Sequence, residues 1–229
     1  MYTEARALTQ ESGDREFWAG TSIGLGTVML HQGKTGEARR YFQEALAALT
    51  TMGDTGSAAD CQIKLATIDN DEGRFAEAEK VGRVVAGDAE RAGNSDLEAS
   101  GLSVLAEALL AQHKTDELAS ALDRIAGLAA RIDQGSLSLG AFINASRLLA
   151  RTGRLGEATR LTARLTPVVR KRGTASEKFD LELVLGMIEL SSGKNAAGRS
   201  RLEQLEKQAR GKGFELVARK VSSALSAGQ

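Results

Sequence analysis

The triplet Gly33-Lys34-Thr35, within the stretch HQGKTGEARRYF, has the residue types that close a phosphate-binding loop. Such a loop cradles phosphate on backbone N–H groups, and it needs a further glycine five residues before the Gly-Lys pair and a strand leading in. Position 28 is Val, and the preceding segment has helical periodicity. The nucleotide chemistry fails on both counts, and the triplet reads as a joint between two helices. Other candidate chemistries fail as well. His31 and His113, the only histidines, have no His, Cys or carboxylate at ligand spacing. Nothing in the spacing favours a Ser-His-Asp set. Cys61 is the only cysteine, so no internal disulfide or cysteine metal cluster can form. Gly20, Gly24 and Gly26 fall within a helical segment and read as close helix packing, since a dinucleotide loop follows a strand. Arg170-Lys171-Arg172 reads as a solvated helix end. One pair keeps a chemical reading: Arg147 and Arg151 share a helix face and could clamp a carboxylate or phosphate of a bound segment. No acid, base, nucleophile or metal set can be named, so the expectation is a non-enzyme without a cofactor.

The elements that position these residues are set by a repeat. Gly33, Gly73, His113, Gly153 and Gly193 follow one another at a step of 40. Leu25, Leu65, Leu105, Ala145, Leu185 and Leu225 keep that step, as do the small residues Gly26, Ala66, Ala106, Ser146, Gly186 and Ser226. So do Ala38, Ala78, Leu118, Ala158 and Gly198, and so do Gly13, Gly53, Gly93, Asp133, Gly173 and Gly213. Between the glycine-like marks lie segments of helical periodicity; Ala38, Phe42, Ala45 and Leu49 form one apolar face. Asp14, Asp54 and Asn94 follow the second glycine as N-caps, with the glycine closing the helix before. Each unit is therefore helix A, tight turn, helix B, tight turn. Lys34, Arg74, Lys114, Arg154 and Lys194 place a cation at the end of helix A, and Glu37, Glu77, Glu117 and Glu157 place a carboxylate in the first turn of helix B.

These columns resemble the tetratricopeptide repeat. Leu25-Gly26, Ala38, Phe42 and Ala45 have that family's internal spacings, and Leu185-Gly186 repeats the pair. The unit of 40 exceeds the family's usual 34, the early aromatic is Ser22, and the terminal proline is absent. Longer units of this sort look like those of kinesin light chain and of helical arrays in large bacterial regulators and signalling kinases. The resemblance implies an all-α, right-handed α-α superhelix: five repeats at 14–53, 54–93, 94–133, 134–173 and 174–213, a half-repeat at 1–13 and a capping helix at 214–229, with Leu216 and Leu225 facing in. A start on a half-repeat leads to the expectation that the chain is the C-terminal part of a longer protein.

By analogy with the family, the A helices line the concave side. Four groove sets follow: Ile23, Ile63, Ser103, Ile143 and Leu183; Thr27, Thr67, Glu107, Arg147 and Met187; Leu30, Asn70, Leu110, Ala150 and Leu190; and His31, Asp71, Ala111, Arg151 and Ser191. The binding candidates among them are Ile23, Thr27, His31, Ile63, Thr67, Asp71, Glu107, Ile143, Arg147, Arg151, Leu183 and Met187.

Bulk numbers bound the partners. Among 229 residues, 30 basic and 30 acidic side chains balance, which gives no electrostatic argument for nucleic acid. No run approaches the roughly 18 apolar residues of a membrane span, and the stretch MYTEARALTQESGD lacks the apolar segment of a signal peptide. With a single cysteine the expected compartment is the cytoplasm. The expected role is a non-catalytic module for binding a protein or peptide segment, in a larger bacterial signalling or regulatory protein. Self-association is the alternative, and so is a small-ligand sensor domain of a transcription regulator.

Overall fold

The computed structural model describes residues 14–130 and 138–227. Eleven helices occupy those residues, without a strand among them. The A helices are α1 (Arg15–His31), α3 (Thr55–Asp71), α5 (Ser95–Ala111), α7 (Leu139–Arg151), α9 (Ala175–Ser191) and α11 (Glu215–Ala227). The B helices are α2 (Thr35–Met52), α4 (Phe75–Arg91), α6 (Thr115–Leu128), α8 (Leu155–Arg172) and α10 (Asn195–Gly211). Consecutive helices pack antiparallel in an α-α superhelix of the tetratricopeptide type, as the repeat pattern predicts. The half-repeat expected at 1–13, and the boundary expected at Asp133, lie outside the described residues.

The joints explain the periodic glycines. Gly33, Gly73, Gly153 and Gly193 all have φ between 74° and 82°, the left-handed region that costs glycine nothing. The following residue then donates its N–H back to the helix just ended: Lys34 to Met29 O at 2.9 Å, Arg74 to Asp69 O at 2.8 Å, Arg154 to Leu149 O at 2.9 Å. This closes helix A in a Schellman turn. The triplet that resembled a phosphate loop is such a turn. The cation after the glycine also finds partners: Lys114 Nζ lies 2.7 Å from Glu79 Oε2 on α4, and Arg154 pairs with Asp123 on α6. Hydrogen bonds from Lys114, Arg83 and Gln112 hold the Glu79 carboxyl down at about 2.

His113 takes the same turn with φ 58°, the one non-glycine residue at positive φ among those described. The left-handed conformation costs an L-residue about 1–2 kcal/mol, and glycine's extra chain entropy costs about 0.5–1 kcal/mol. His113→Gly is therefore expected to stabilise the protein by about 0.5–1 kcal/mol, read as a raised urea midpoint with an unchanged slope.

The second turn is less uniform than the sequence suggests. Asp14, Asp54 and Asn94 do cap α1, α3 and α5, accepting from Phe17 N at 3.0 Å, Ser57 N at 3.0 Å and Leu97 N at 3.1 Å. Gly53, Gly93 and Gly213 are left-handed, but Gly173 is extended (φ −66°, ψ 148°). There Thr174 starts α9 with a reciprocal capping box to Glu177 instead. Pro167 sits inside α8, which still runs on to Arg172. Helix α7 begins at Leu139, later than the register places it, and the Ser138 N–H donates to Asp96 Oδ1 at 2.8 Å.

The core is segmented along the array, as expected where each helix pair touches mainly its neighbours. Phe42, Ala38 and Ile68 form one cluster, and Ile63, Ala66, Ala78, Val85, Val104 and Ala108 the next. The largest is centred on Phe142, Leu148, Leu149 and Leu165, and the last joins Phe179, Leu183, Leu202 and Leu205 to Val217, Ala218 and Val221. Leu225 packs on that last cluster as expected; Leu216 does not, because the buried stripe of α11 runs through Val217, Ala218 and Val221.

Candidate functional site

The A helices α3, α5, α7, α9 and α11 face a common chamber. Two adjoining cavities, of about 380 and 460 Å³, share Arg147, Leu183 and Lys220 in their walls. Every described lining residue of the first lies on α3, α5, α7, α9 or α11 or at the start of α7. This inward face follows from helical spacing: side chains three and four positions apart along each A helix point the same way.

The expected groove residues divide between these walls and the core. Ile63, Thr67, Asp71, Glu107, Ile143, Arg147 and Leu183 line the first cavity, and Arg151 and Met187 line the second. Of these, Ile63, Ile143 and Leu183 are 9%, 2% and 1% exposed, so they form floor packed between helices. The three residues of α1 line neither cavity. Ile23 packs into the clusters at that end, Thr27 Oγ1 donates to the Ile23 carbonyl at 2.9 Å, and His31 turns to the other end of the chain.

That last contact closes the array. Helix α11 touches α1 as well as α9 and α10, so it has a second neighbour that an end cap lacks. The His31 ring lies 5.3 Å from the Phe214 ring, which meets Phe179 edge-on at 5.1 Å. Arg219 Nη2 donates to the Gly33 carbonyl at 3.5 Å. Ser176 Oγ is 3.4 Å from His31 Nδ1 and 3.5 Å from Asp180 Oδ2. In this order the carboxylate meets the hydroxyl and not the imidazole. A nucleophilic triad needs the carboxylate to orient the histidine, so the grouping is a seam and not a catalytic set. Cys61 is fully buried, and burial pushes its thiol up to about 11, which leaves it without thiolate character. The described residues include no metal-holding group of His, Cys, Asp and Glu, and no described helix is long and apolar enough to cross a membrane.

The charges on the wall are unequally partnered. Arg147 pairs with Glu107 and donates from Nε to Asn144 Oδ1 at 3.1 Å. Arg151 Nη1 reaches the same Glu107 at 3.3 Å. The arginine pair is therefore not a free clamp: Glu107 occupies most of it. Burial works to raise the Glu107 carboxyl, but the two arginines and Lys220 outweigh it and hold it below the usual range. Burial raises the carboxyl of Asp180; Asp71 keeps an exposed surface at the rim of the chamber, and partial desolvation by the surrounding walls raises its carboxyl. Lys220 lies near both without a carboxylate at ion-pair distance among the described residues.

Sequence reasoning missed Asn144, Asp180 and Lys220. Gly20, Asp60, Ser100, Gly140, Asp180 and Lys220 keep the same step of 40, and positions 20, 23, 27 and 31 share one helical face. Extending the groove sets by one turn toward each helix start would have found the last two.

The seam carries a pH dependence. Burial lowers the His31 pKa below 6.5; Asp180 on α9 opposes the shift, while Lys64 on α3 and Lys220 on α11 reinforce it. A base with a lowered folded pKa contributes stability that is intact above its unfolded value and is lost as pH falls through the folded one. Thermal melts from about pH 7.5 down to about 5.5 are expected to show a fall that His31→Gln flattens. Asp71 and Asp180 act oppositely. Their raised values mean that strain present while they are charged is relieved as pH falls through them toward 3.8.

The fold and the chamber define a helical-repeat array with a concave face built from its A helices. No family model and no curated protein matches the chain. Among solved structures it is similar to a kinesin-light-chain-type protein of Podosopora anserina with nearly identical TPR-like repeats, at 17% identity and a TM-score of 0.51, over 84% of this chain and 94% of that one. At that identity the likeness is one of fold.

Proposed function

We propose that this chain is a non-catalytic interaction module that receives a protein or peptide segment on the concave face of its A helices. One observation carries the reading: the two adjoining cavities are walled by successive A helices, with apolar floor at Ile63, Ile143 and Leu183 and hydrogen-bonding and charged groups above it. Cavities of this size are in the range of binding sites, and helical-repeat folds present extended concave surfaces for recognition. The regulatory or signalling setting in a bacterial protein, and the repeat boundaries given above, belong to the same proposal and rest on the length of the unit. A second reading, a sensor of a small ligand, is favoured by α11, which meets α1 across the array and lines both cavities. The test is photo-crosslinking from a benzophenone placed at Met187, on the chamber wall, and from one at Val84, which is 53% exposed on the outer helix α4. A segment captured from Met187 alone supports the module; capture from Val84 alone moves the interface to the outside. Sedimentation at several concentrations separates self-association, which predicts a concentration-dependent mass.

A further inference from the structure

The two cavities differ in charge balance. The first is lined by Asp71, Glu107 and Asp180 together with Arg147 and Lys220; the second shares those two cations, adds Arg151, and has no carboxylate among its described residues. Glu107 neutralises much of Arg147 and Arg151. What remains is Asp71 and Asp180, without a bonded cation among the described residues, on one side, half-exposed Arg151 on the other, and Lys220 in the wall between them. Leu183, 1% exposed, lies in the wall of both. A separate observation concerns Asn70 beside Asp71. Its Nδ2 donates to the Val104 carbonyl at 3.0 Å, which fixes the amide orientation, and its Oδ1 is buried without a hydrogen-bond partner among the described residues. Asn70 is one of the residues that line the first cavity.

From this polarity we infer that the chamber binds a zwitterion that lies across Leu183, with its ammonium toward Asp71 and Asp180 and its carboxylate toward Arg151 and the shared Lys220. The inference deepens the reading of this face as a binding surface and rests on it. A neutral chain of the same length would leave both sets of charges unmatched, and a monoanion or a monocation would satisfy one and strand the other. The same chemistry is presented by an ω-amino acid and by the two free ends of a short peptide.

The probes are 4-aminobutanoate, 6-aminohexanoate and trialanine, with N-acetyl-trialanine and trialanine amide as capped counterparts, measured by calorimetry on the purified chain. At least one zwitterion is expected to bind, and blocking either end is expected to weaken it about ten-fold or more, the factor associated with losing one charged hydrogen bond. Binding of the amino acids without trialanine identifies a free small zwitterion; the reverse identifies peptide ends. Lys220→Met should erase the penalty for amidation while leaving that for acetylation, and Asp180→Asn should do the opposite. Arg151→Gln, on an exposed side chain, replaces Lys220→Met if circular dichroism shows that variant unfolded. Equal binding of capped and free forms, unchanged penalties in the folded variants, or no heat from any probe overturns the zwitterion. A segment crosslinked from Met187 together with any of those results leaves the interaction module standing and removes only its charge preference.

Discussion

Replacing Gly101 by valine is expected to destabilise the fold by about 3 kcal/mol or more, at the upper end of what overpacking costs. A Cβ at 101 would stand 2.7 Å from the Ala86 backbone nitrogen, closer than real Cβ atoms come, and 3.1 Å from its Cα. The contact is reciprocal: a Cβ on Gly82 would stand 2.8 Å from the Leu105 nitrogen and 3.0 Å from the Gly101 carbonyl oxygen. Both obstacles are backbone, so no rotamer change relieves them, and α4 and α5 would have to part. Parting them unseals Val85 and Val104, which are 3% and 6% exposed in the cluster they share with Ile63. Gly87 on the same α4 has open space where its Cβ would be, so Gly87→Ala should instead gain up to about 1 kcal/mol from helix propensity. Urea titrations of the two variants check the contrast; an unchanged midpoint for Gly101→Val would mean that the two helices do not meet as described.

This crossing also marks how far the sequence could be read. The joints were legible because a left-handed residue is a local demand that only glycine meets cheaply, and even the exception at His113 keeps its place in the column. The crossing of A on B within a unit was legible at Gly26 and Gly186, whose missing Cβ atoms admit Phe42 and Leu202. The crossing between α4 and α5 was not, since Gly82 and Gly101 stand in no glycine column and serve one interface only. The chamber was half legible. Family positions pointed to Asp71, Glu107 and Arg147, but their pairing depends on which side chain of the neighbouring helix reaches across, as Glu107 does for both arginines. Lys220 was within reach of the 40-residue step; the closure of the array was not. Helix α11 comes round to α1, and that return is the sum of small rotations at every joint, which no single motif encodes.

Phe42→Ala is expected to cost about 3–5 kcal/mol, the usual range for emptying a fully buried aromatic site. The ring is 0% exposed and lies on Gly26, where a Cβ would meet Cε1 at 2.6 Å and Cδ1 at 2.8 Å. Gly26→Ala alone should cost about 1–3 kcal/mol, because Ile68, Ile23 and Leu30 hold the ring from the other sides. In the double variant the new methyl group occupies space the ring has left, so the two losses should sum to less than their parts by about 1 kcal/mol or more. Strict additivity would place the ring elsewhere. The same variant tests the closure of the array. In an open solenoid, hydrogen exchange made faster by Phe42→Ala fades with distance along the chain, because each helix pair answers mainly to its neighbours. Here α1 also supports α11, through His31 against Phe214 and the Gly33 carbonyl under Arg219. Loosening α1 should therefore speed exchange in α1, α2 and α11 together, while α6 and α7 in the middle stay protected. Protection that falls off evenly from α2 onward, with α11 unchanged, would show that the two ends do not hold one another in solution.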